Sequence, residues 1–206
     1  GSHASLAIRD GVPSIAYTGA EGPQAEEGIY LTTRTGNVWS LPDKIWPDFA
    51  ATSLVATSSL VLNAQGLPRL SFYVDGYCTP TCDSPKDLMF AWQDGVTPDW
   101  NVETVATQGD VGRSHRLILD ANDVPTIVFL DETAGQIKLA RRAPLVRRRG
   151  TAWQVLPQTL AVQSQPGLEP SFAALGLPGG WIVVSHYNVP QTETNGVLRL
   201  GSWDGV

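Results

Sequence analysis

The sequence predicts an all-β fold built from repeated antiparallel sheets, and three observations support this prediction. The 206 residues include 20 glycines and 15 prolines spread along the whole chain, which favours many turns over long helices. Short segments alternate apolar and polar residues, as strands with one buried face do. No segment of ten or more residues carries the apolar stripe of an amphipathic helix.

The composition excludes several classes of protein. Hydrophobic residues make up 42% of the chain and charged residues 17%, which is not the balance of a disordered segment. The net charge of −6 argues against a nucleic-acid partner. No run of 18 apolar residues occurs, so membrane insertion is not expected.

A repeat of about 55 residues runs through the chain. Its first half is a pair of strands joined by a short turn of Asp, Asn and Gly residues, and a proline opens the second strand. These marker prolines are separated by 55, 57 and 53 residues, and they are Pro13, Pro68, Pro125 and Pro178. Internal repetition at this period indicates a repeat architecture.

Each repeat contains two further strands. A third apolar segment begins at Ile29, Leu88, Ile137 and Leu198, and a fourth is opened in three copies by Trp39, Trp100 and Trp153. Four strands per unit at this period are typical of a β-propeller blade. We therefore predict an all-β propeller of about four four-stranded antiparallel blades. The last blade is expected to be incomplete, because no fourth-strand Trp follows Leu200.

The repeats define the expected domain organisation. Residues 1–3, Gly-Ser-His, are interpreted as the remainder of a cleaved expression tag, and 4–206 as one propeller domain or propeller segment. The repeats are placed at approximately 4–52, 53–112, 113–166 and 167–206. An unfinished edge strand predicts either a piece of a longer propeller or self-association through that edge, including two chains that complete an eight-bladed ring.

The repeat unit resembles the tandem blades of bacterial sialidase-like propellers. The outline is Ser-Leu-x-Leu-Asp-x-x-Gly-x-Pro-x-Ile-x-Tyr, then Leu-x-x-Ala, then Trp, and it covers essentially all of 4–206. The resemblance implies architecture and not activity. The Asp-box Ser-x-Asp-x-Gly-x-x-Thr-Trp of sialidases does not occur, and their arginine triad and Tyr/Glu nucleophile pair have no counterpart here.

The predicted core consists of the large apolar residues that recur at equivalent repeat positions. They are Leu6, Ile8, Ile15, Leu31, Leu60, Leu62, Leu70, Phe90, Leu117, Leu119, Ile127, Leu139, Ile182 and Leu200. Trp39, Trp100 and Trp153 are expected to pack between blades.

The loops from the second to the third strand form the candidate ligand face. They vary in length and content, whereas the other turns are stereotyped, and variable loops on a fixed frame usually carry function. The expected ligand contacts are Tyr17, Asp75, Tyr77, Asp131, His186 and Tyr187. Asp110, Arg113 and His115 are predicted to reach the same face from the connection into the third repeat.

Aromatic side chains near this face have two interpretations. As platforms for a sugar ring the candidates are Tyr17, Tyr73, Tyr77, Tyr187 and Trp92. The alternative is packing between blades, which suits a side chain with an apolar body and a polar tip. His115 and His186 show no metal-ligand spacing, so we predict no metal and no cofactor.

The chain has two cysteines, Cys78 and Cys82, in a proline-containing loop. A disulfide that closes this loop is predicted, and half of a zinc site is the alternative. A disulfide and the use of 3 lysines against 11 arginines favour a secreted or cell-surface bacterial protein.

Arginines are concentrated between the third and fourth strands of the third repeat: Arg141, Arg142, Arg147, Arg148 and Arg149. An anion-binding patch for sulfated glycan or nucleic acid is one interpretation. A solvated hairpin tip is favoured, because the chain is acidic and no aromatic residues are interleaved.

The sequence favours a non-catalytic binding module for a carbohydrate or protein ligand over an enzyme. Two carboxylates at glycosidase separation could come from Asp75, Asp83, Asp87, Asp131 and Glu132, but no motif pairs them. A glycoside hydrolase or lyase is therefore one alternative, and a purely structural repeat segment is another.

Overall fold

A computed structural model describes residues 2–21, 26–46, 57–74, 86–144, 151–162, 172–176, 182–188 and 197–203. These residues form sixteen strands in four antiparallel sheets, and no helix occurs among them. The all-β class predicted from the repeat is confirmed.

The first two repeats form the first two sheets. Sheet one contains β1 (Ser2–Arg9), β2 (Val12–Glu21), β3 (Glu26–Thr35), β4 (Val38–Trp39) and β5 (Asp43–Trp46). Sheet two contains β6 (Ser58–Leu62), β7 (Pro68–Val74), β8 (Asp87–Trp92) and β9 (Asn101–Ala106), in that spatial order.

The other two repeats form sheets three and four. Sheet three contains β10 (Val111–Leu119), β11 (Pro125–Asp131), β12 (Gln136–Pro144) and β13 (Thr151–Val162), in that order. The described part of sheet four contains β14 (Phe172–Gly176), β15 (Ile182–Asn188) and β16 (Val197–Trp203).

The turns between first and second strands follow the predicted turn chemistry. Asn63 Oδ1 accepts hydrogen bonds from the backbone N–H groups of Gln65 and Leu67, at 3.1 and 2.8 Å. Asp120 Oδ1 accepts equivalent bonds from Asn122 and Val124, at 2.8 and 2.9 Å. A side-chain acceptor at the first turn position therefore fixes the register of these two hairpins.

Apolar cores lie between sheets that are consecutive in the chain. Ala16 and Leu31 of sheet one pack against residues of sheet two such as Leu70. The next core joins Phe90 of sheet two to sheet three, and a further core joins sheet three to Val184 of sheet four. Central strands β7 and β11 are buried on both faces for this reason.

Most of the predicted core is confirmed. The residues that are less than a tenth exposed are Leu31, Leu60, Leu70, Phe90, Leu117, Ile127, Leu139 and Ile182. Ile15, Leu62 and Leu119 are partly buried, and the side chain of Leu200 lies outside the described set. Trp100 and Trp153 pack against the cores between sheets, as predicted.

Leu6, Ile8 and Trp39 were wrongly predicted to be buried. Leu6 is 58% exposed and Ile8 65%, because they lie on the face of sheet one that points away from sheet two. Trp39 is 43% exposed in the short strand β4.

The outer strand of sheet one is divided, which explains the position of Trp39. Strand β4 pairs only with the end of β3, and β5 pairs with its middle. Trp46 of β5 takes the packing position instead, with its ring 5.9 Å from that of Phe72. Among the described residues, sheet one therefore has five strands where the repeat predicted four.

Candidate functional site

The predicted ligand residues fall into three groups. Asp75 and Tyr77 lie outside the described residues, as do Cys78 and Cys82. His186 and Tyr187 were predicted to lie in the loop after β15, but they belong to β15 itself. Only their backbone is described. The side chains of Tyr17 and Asp131 are described.

Tyr17 was wrongly predicted to lie in the loop between second and third strands: it is in the middle of β2, where it pairs with Tyr30 of β3, and its side chain is partly buried. Its hydroxyl donates a hydrogen bond to Glu21 Oε1 at 2.9 Å, and its ring stacks on Tyr30 with centroids 5.9 Å apart. Burial, followed by the hydrogen bond to Glu21, raises the pKa of Tyr17 to about 12. The phenol is therefore neutral and oriented, but one of its ring faces is covered by Tyr30.

Asp131 is buried at the last residue of β11. Its Oδ1 accepts a hydrogen bond from the backbone N–H of Ala134 at 2.8 Å, and Lys138 Nζ donates to Oδ2 at 2.7 Å. Both oxygens are thus engaged in closing the turn between β11 and β12. A ligand would reach the Lys138 side of this ion pair more readily than the Asp131 side, since Lys138 is the more exposed partner.

A charged group joins sheets two and three on the same face, and we call it the Asp110 cluster: Tyr73, Lys86, Asp110, Arg113 and Glu132. Asp110 accepts hydrogen bonds from the Tyr73 hydroxyl at 2.8 Å and from Lys86 Nζ at 3.0 Å. Arg113 lies between two carboxylates, 3.8 Å from Asp110 and 3.5 Å from Glu132. The sequence correctly predicted that Asp110 and Arg113 reach this face.

His115 lies in the interior beside this cluster, and its side chain is buried. Nδ1 is 2.7 Å from the Gly112 carbonyl oxygen, and Nε2 is 3.1 Å from the Ser71 carbonyl oxygen. Burial lowers the pKa of His115 to about 4, although both carbonyl contacts act in the opposite direction. His115 is therefore a neutral structural residue, and it does not present a nitrogen to a ligand.

An open cleft of about 330 Å³ lies next to the Asp110 cluster, and we call it the inter-sheet cleft. Its lining residues are Val105, Ala106, Thr107, Gln108, Val111, Phe129, Asp131, Lys138 and Val155. Apolar side chains from sheets two and three form one part of the wall. Thr107, Gln108 and the Asp131–Lys138 ion pair provide the polar part.

Two of the proposed aromatic platforms are not available as platforms. Tyr73 is fully buried. Trp92 is covered by the Arg142 guanidinium, 4.3 Å from the ring centroid, and stacks on Phe90 with centroids 5.5 Å apart. For both residues, the alternative of packing between sheets describes the structure.

The arginine-rich hairpin also differs from its sequence interpretation. Arg141 donates a hydrogen bond to Asp120 Oδ2 at 2.8 Å, and Arg142 Nε lies 2.8 Å from Glu103 Oε1. These two arginines are partly buried ion-pair partners that tie β12 to its surroundings, so they belong neither to a free anion patch nor to a solvated tip. Arg147, Arg148 and Arg149 lie outside the described residues.

No sequence pattern predicted that Lys86, Lys138 and the amide of Gln108 lie at this face. Lys86 and Lys138 are two of the three lysines in the chain, and both pair with carboxylates there. Gln108 carries no sequence signal of its own, because its position depends on how sheets two and three pack.

Acid–base chemistry has one described candidate at this face. Burial raises the pKa of Asp87, at the start of β8. Asp75 and Asp83, its potential partners from the same loop, lie outside the described residues. Among the described side chains, no group of three or more His, Cys, Asp and Glu residues is arranged to hold a metal ion.

Three solved structures similar to this chain are β-propellers. A xylan β-1,4-xylosidase from Bacillus halodurans C-125 has a TM-score of 0.53 and 14% identity, over 97% of this chain and 40% of that chain. An endo-arabinase from Bacteroides thetaiotaomicron has a TM-score of 0.49 and 10% identity, over 95% and 72%. A fucose lectin from Kordia zhangzhouensis, in complex with methyl-fucoside, has a TM-score of 0.45 and 17% identity, over 76% and 99%.

These comparisons concern the fold. The chain spans less than half the length of the xylosidase, and the low identity makes the likeness one of architecture alone. It supports the propeller architecture predicted from the repeat, whereas the resemblance to sialidases stays a prediction. No family model matches the sequence, and no curated protein is significantly similar to it. Within the described residues, no helix has the length and apolar character needed to cross a membrane.

Proposed function

We propose that this chain is a non-catalytic carbohydrate-binding module, in which each sheet is one propeller blade and the inter-sheet cleft holds the sugar. The observation that carries the proposal is the composition of the cleft wall. Val155 is 45% exposed and offers apolar surface in front of the buried Val105 and Val111, and Thr107 and Gln108 offer exposed hydrogen-bonding groups beside it. A sugar ring has the same division, with C–H faces and a rim of hydroxyls.

The size of the cleft limits the ligand. A volume of about 330 Å³ is at the small end of ligand sites, which suits one or two sugar units. Lys138 Nζ adds a cationic donor at the rim while its partner Asp131 holds it in place. An acidic sugar or a hydroxyl-rich neutral sugar fits this set of groups. The other predicted contacts, Asp75, Tyr77, His186 and Tyr187, are proposed to extend the site from the neighbouring loops and from β15.

The charges of the face favour binding over hydrolysis. A glycosidase needs a carboxylic acid that stays protonated near neutral pH. Asp110, Asp131 and Glu132 each have a cationic partner within 4 Å that engages the carboxylate. Such carboxylates serve better as hydrogen-bond acceptors than as general acids.

The test is a glycan array followed by calorimetry of any sugar that binds. We expect Gln108→Ala to weaken binding at least tenfold, because the amide is at the cleft wall and its removal leaves sugar hydroxyls unpaired. Gln65→Ala is the matched control, since Gln65 is also exposed but lines a separate cleft of about 300 Å³ at the opposite end of the sheets. Equal affinity of the Gln108→Ala variant and the unmodified chain would refute the proposed site.

A glycoside hydrolase is the second candidate, and the raised pKa of Asp87 favours it. Turnover in a screen of chromogenic glycosides, abolished by Asp87→Asn, would replace the binding proposal with a catalytic one. If the chain binds a protein but no glycan on the array, its ligand is a protein, which is the other ligand class that the sequence favours.

We also propose that the protein is secreted or displayed on the cell surface, with a disulfide between Cys78 and Cys82. Support comes from the spacing of the cysteines within one loop. Alkylation of the unreduced native protein, read by mass spectrometry, tests the disulfide. Two alkylated cysteines would remove this support for an oxidising compartment.

A further inference from the structure

Each sheet has a leading face, which points toward the preceding sheet in the chain, and a trailing face, which points toward the next. In sheet two the cross-strand pair Leu60–Leu70 lies on the leading face and packs against sheet one. In sheet three the corresponding pair is Leu117–Ile127, which packs against sheet two. All four side chains are at most 4% exposed.

Sheet one carries the same pair without a sheet to cover it. Leu6 pairs with Ile15 across β1 and β2, in the register of the two pairs above. Leu6 is nevertheless 58% exposed, and Ile8, two residues further along the same face, is 65% exposed. The leading face of sheet one therefore has the residues of a sheet-to-sheet interface, and none of the described sheets packs against it.

Hydrogen bonds between the innermost strands show how these interfaces are aligned. Ser5 Oγ of sheet one accepts from the Leu60 N–H of sheet two at 2.8 Å. Ser59 Oγ of sheet two accepts from the Leu117 N–H of sheet three at 3.0 Å. Ser5–Leu6 and Ser59–Leu60 are adjacent at equivalent positions of the first two repeats, so the same contact is made twice in succession.

The trailing face of sheet four is the other uncovered face. Leu175 pairs with Val183 across β14 and β15, whereas Ala174 and Ile182 point the other way, toward sheet three. Leu175 is 62% exposed. Between sheets one and two, two and three, and three and four, a trailing face packs against a leading face. One leading and one trailing face are left over.

We propose that a second copy of this chain covers the leading face of sheet one with the trailing face of its own sheet four. The chain supplies both halves of this contact, and the contact continues the series of interfaces that already joins its four sheets. The association is head to tail, so each copy uses one face of each kind. The contact is between sheet faces and differs from pairing at the open edge of the last sheet.

The experiment is sedimentation velocity of the 206-residue chain over a hundredfold range of concentration. We expect species heavier than the 22.1 kDa monomer at the upper end. Leu6→Glu and Leu175→Glu should each weaken association at least tenfold. A mixture of the two variants should recover a two-chain complex, because each variant keeps the face that the other has lost.

Val96→Glu is the matched control, since Val96 is 86% exposed and lies outside both faces. It should associate like the unmodified chain. Circular dichroism of each variant reports whether the fold is kept, and the exposure of Leu6 and Leu175 makes a loss of fold unexpected. A monomer at every concentration, as closure of sheet four onto sheet one within a single chain would give, overturns the proposal. Equal effects of Val96→Glu and Leu6→Glu, or no recovery in the mixture, also overturn it.

Discussion

The Tyr73 hydroxyl donates a hydrogen bond to Asp110 Oδ1 at 2.8 Å, across 37 residues of sequence. Tyr73 is fully buried in β7, and Asp110 comes directly before β10, so the bond joins sheet two to the entry of sheet three. Lys86 and Arg113 neutralise the same carboxylate. The Asp110 cluster therefore positions the wall of the inter-sheet cleft without offering its own oxygens freely to a ligand.

Tyr73→Phe should lower the free energy of unfolding by about 2 kcal/mol, because it removes a hydrogen bond to a charged acceptor and leaves the ring in place. Urea denaturation followed by tryptophan fluorescence measures this change. Tyr17→Phe is the control, since it deletes the same hydroxyl from a more exposed bond to Glu21. Its expected cost is below about 1 kcal/mol, and a larger loss than for Tyr73→Phe would contradict the argument.

Arg142 is predicted to be the arginine that contributes most to stability. Its guanidinium stacks 4.3 Å from the Trp92 centroid, and it is ion-paired with Glu103, which also accepts a hydrogen bond from the Trp153 indole. Arg142→Ala should cost about 2 to 3 kcal/mol in unfolding free energy, because it leaves Glu103 without its cation and uncovers Trp92.

Two further variants are compared with Arg142→Ala: one keeps the charge at position 142, and the other removes an exposed arginine elsewhere. Arg142→Lys keeps the charge but loses the planar stack, and we expect roughly half the loss. Arg34→Ala removes an arginine whose described partner, Asn37, lies in the same exposed hairpin, so it should cost no more than about 0.5 kcal/mol. Similar melting temperatures for Arg142→Ala and Arg34→Ala would show that the stacked arginine is dispensable.

Gly112 is the glycine at which a side chain should be least tolerated. Its φ is +96°, and an added Cβ would lie 2.7 Å from the Cβ of Leu88, an atom that side-chain rotation cannot move away. Gly112→Ala should therefore cost about 3 kcal/mol or more in unfolding free energy. Gly36→Ala is the control, because φ is +61° there and the space is open. It should cost about 1 kcal/mol from backbone strain alone.

The repeat made the strand pairs and most of the core predictable. Leu60 and Leu117 could be identified as core because they recur with their proline-marked partner strands. The same logic failed for Leu6, since recurrence shows that a face is apolar but not that a sheet lies against it. Trp39 failed for a different reason: Leu41–Pro42 interrupts the outer strand of sheet one, and the proline has no N–H to continue pairing.

The candidate site was predictable by region more than by residue. Loop topology correctly brought Asp110 and Arg113 to the face that holds Asp131. It could not show that Asp131 is committed to Lys138 and the Ala134 N–H, or that Tyr73 faces inward, because those contacts depend on packing between sheets. The cleft at Thr107 and Gln108 exists only where two repeats meet, so neither repeat alone contains its pattern.

His115 gives the fold an expected dependence on pH. Its pKa is about 4 in the folded chain, against 6.5 for an unperturbed histidine, chiefly because of burial. Below pH 6.5 the unfolded chain binds a proton at this residue that the folded chain does not bind, so stability falls as the pH decreases. The fall should extend from about pH 6.5 to 4 and reach about 3 kcal/mol, at 1.36 kcal/mol per pKa unit.

His115→Gln should remove this part of the dependence. Glutamine keeps a donor that can bond the Gly112 or Ser71 carbonyl oxygen but does not titrate, so the variant is expected to be less stable at pH 7 and to lose less stability between pH 6.5 and 4.5. Urea midpoints at four pH values measure the difference, and carboxylate titration cancels because both chains share it. The imidazole resonances of His115, followed by NMR from pH 7 to 4, give the direct test. A midpoint at 6.5 or above would mean that the two carbonyl acceptors outweigh burial, and stability would then hold steady across this range.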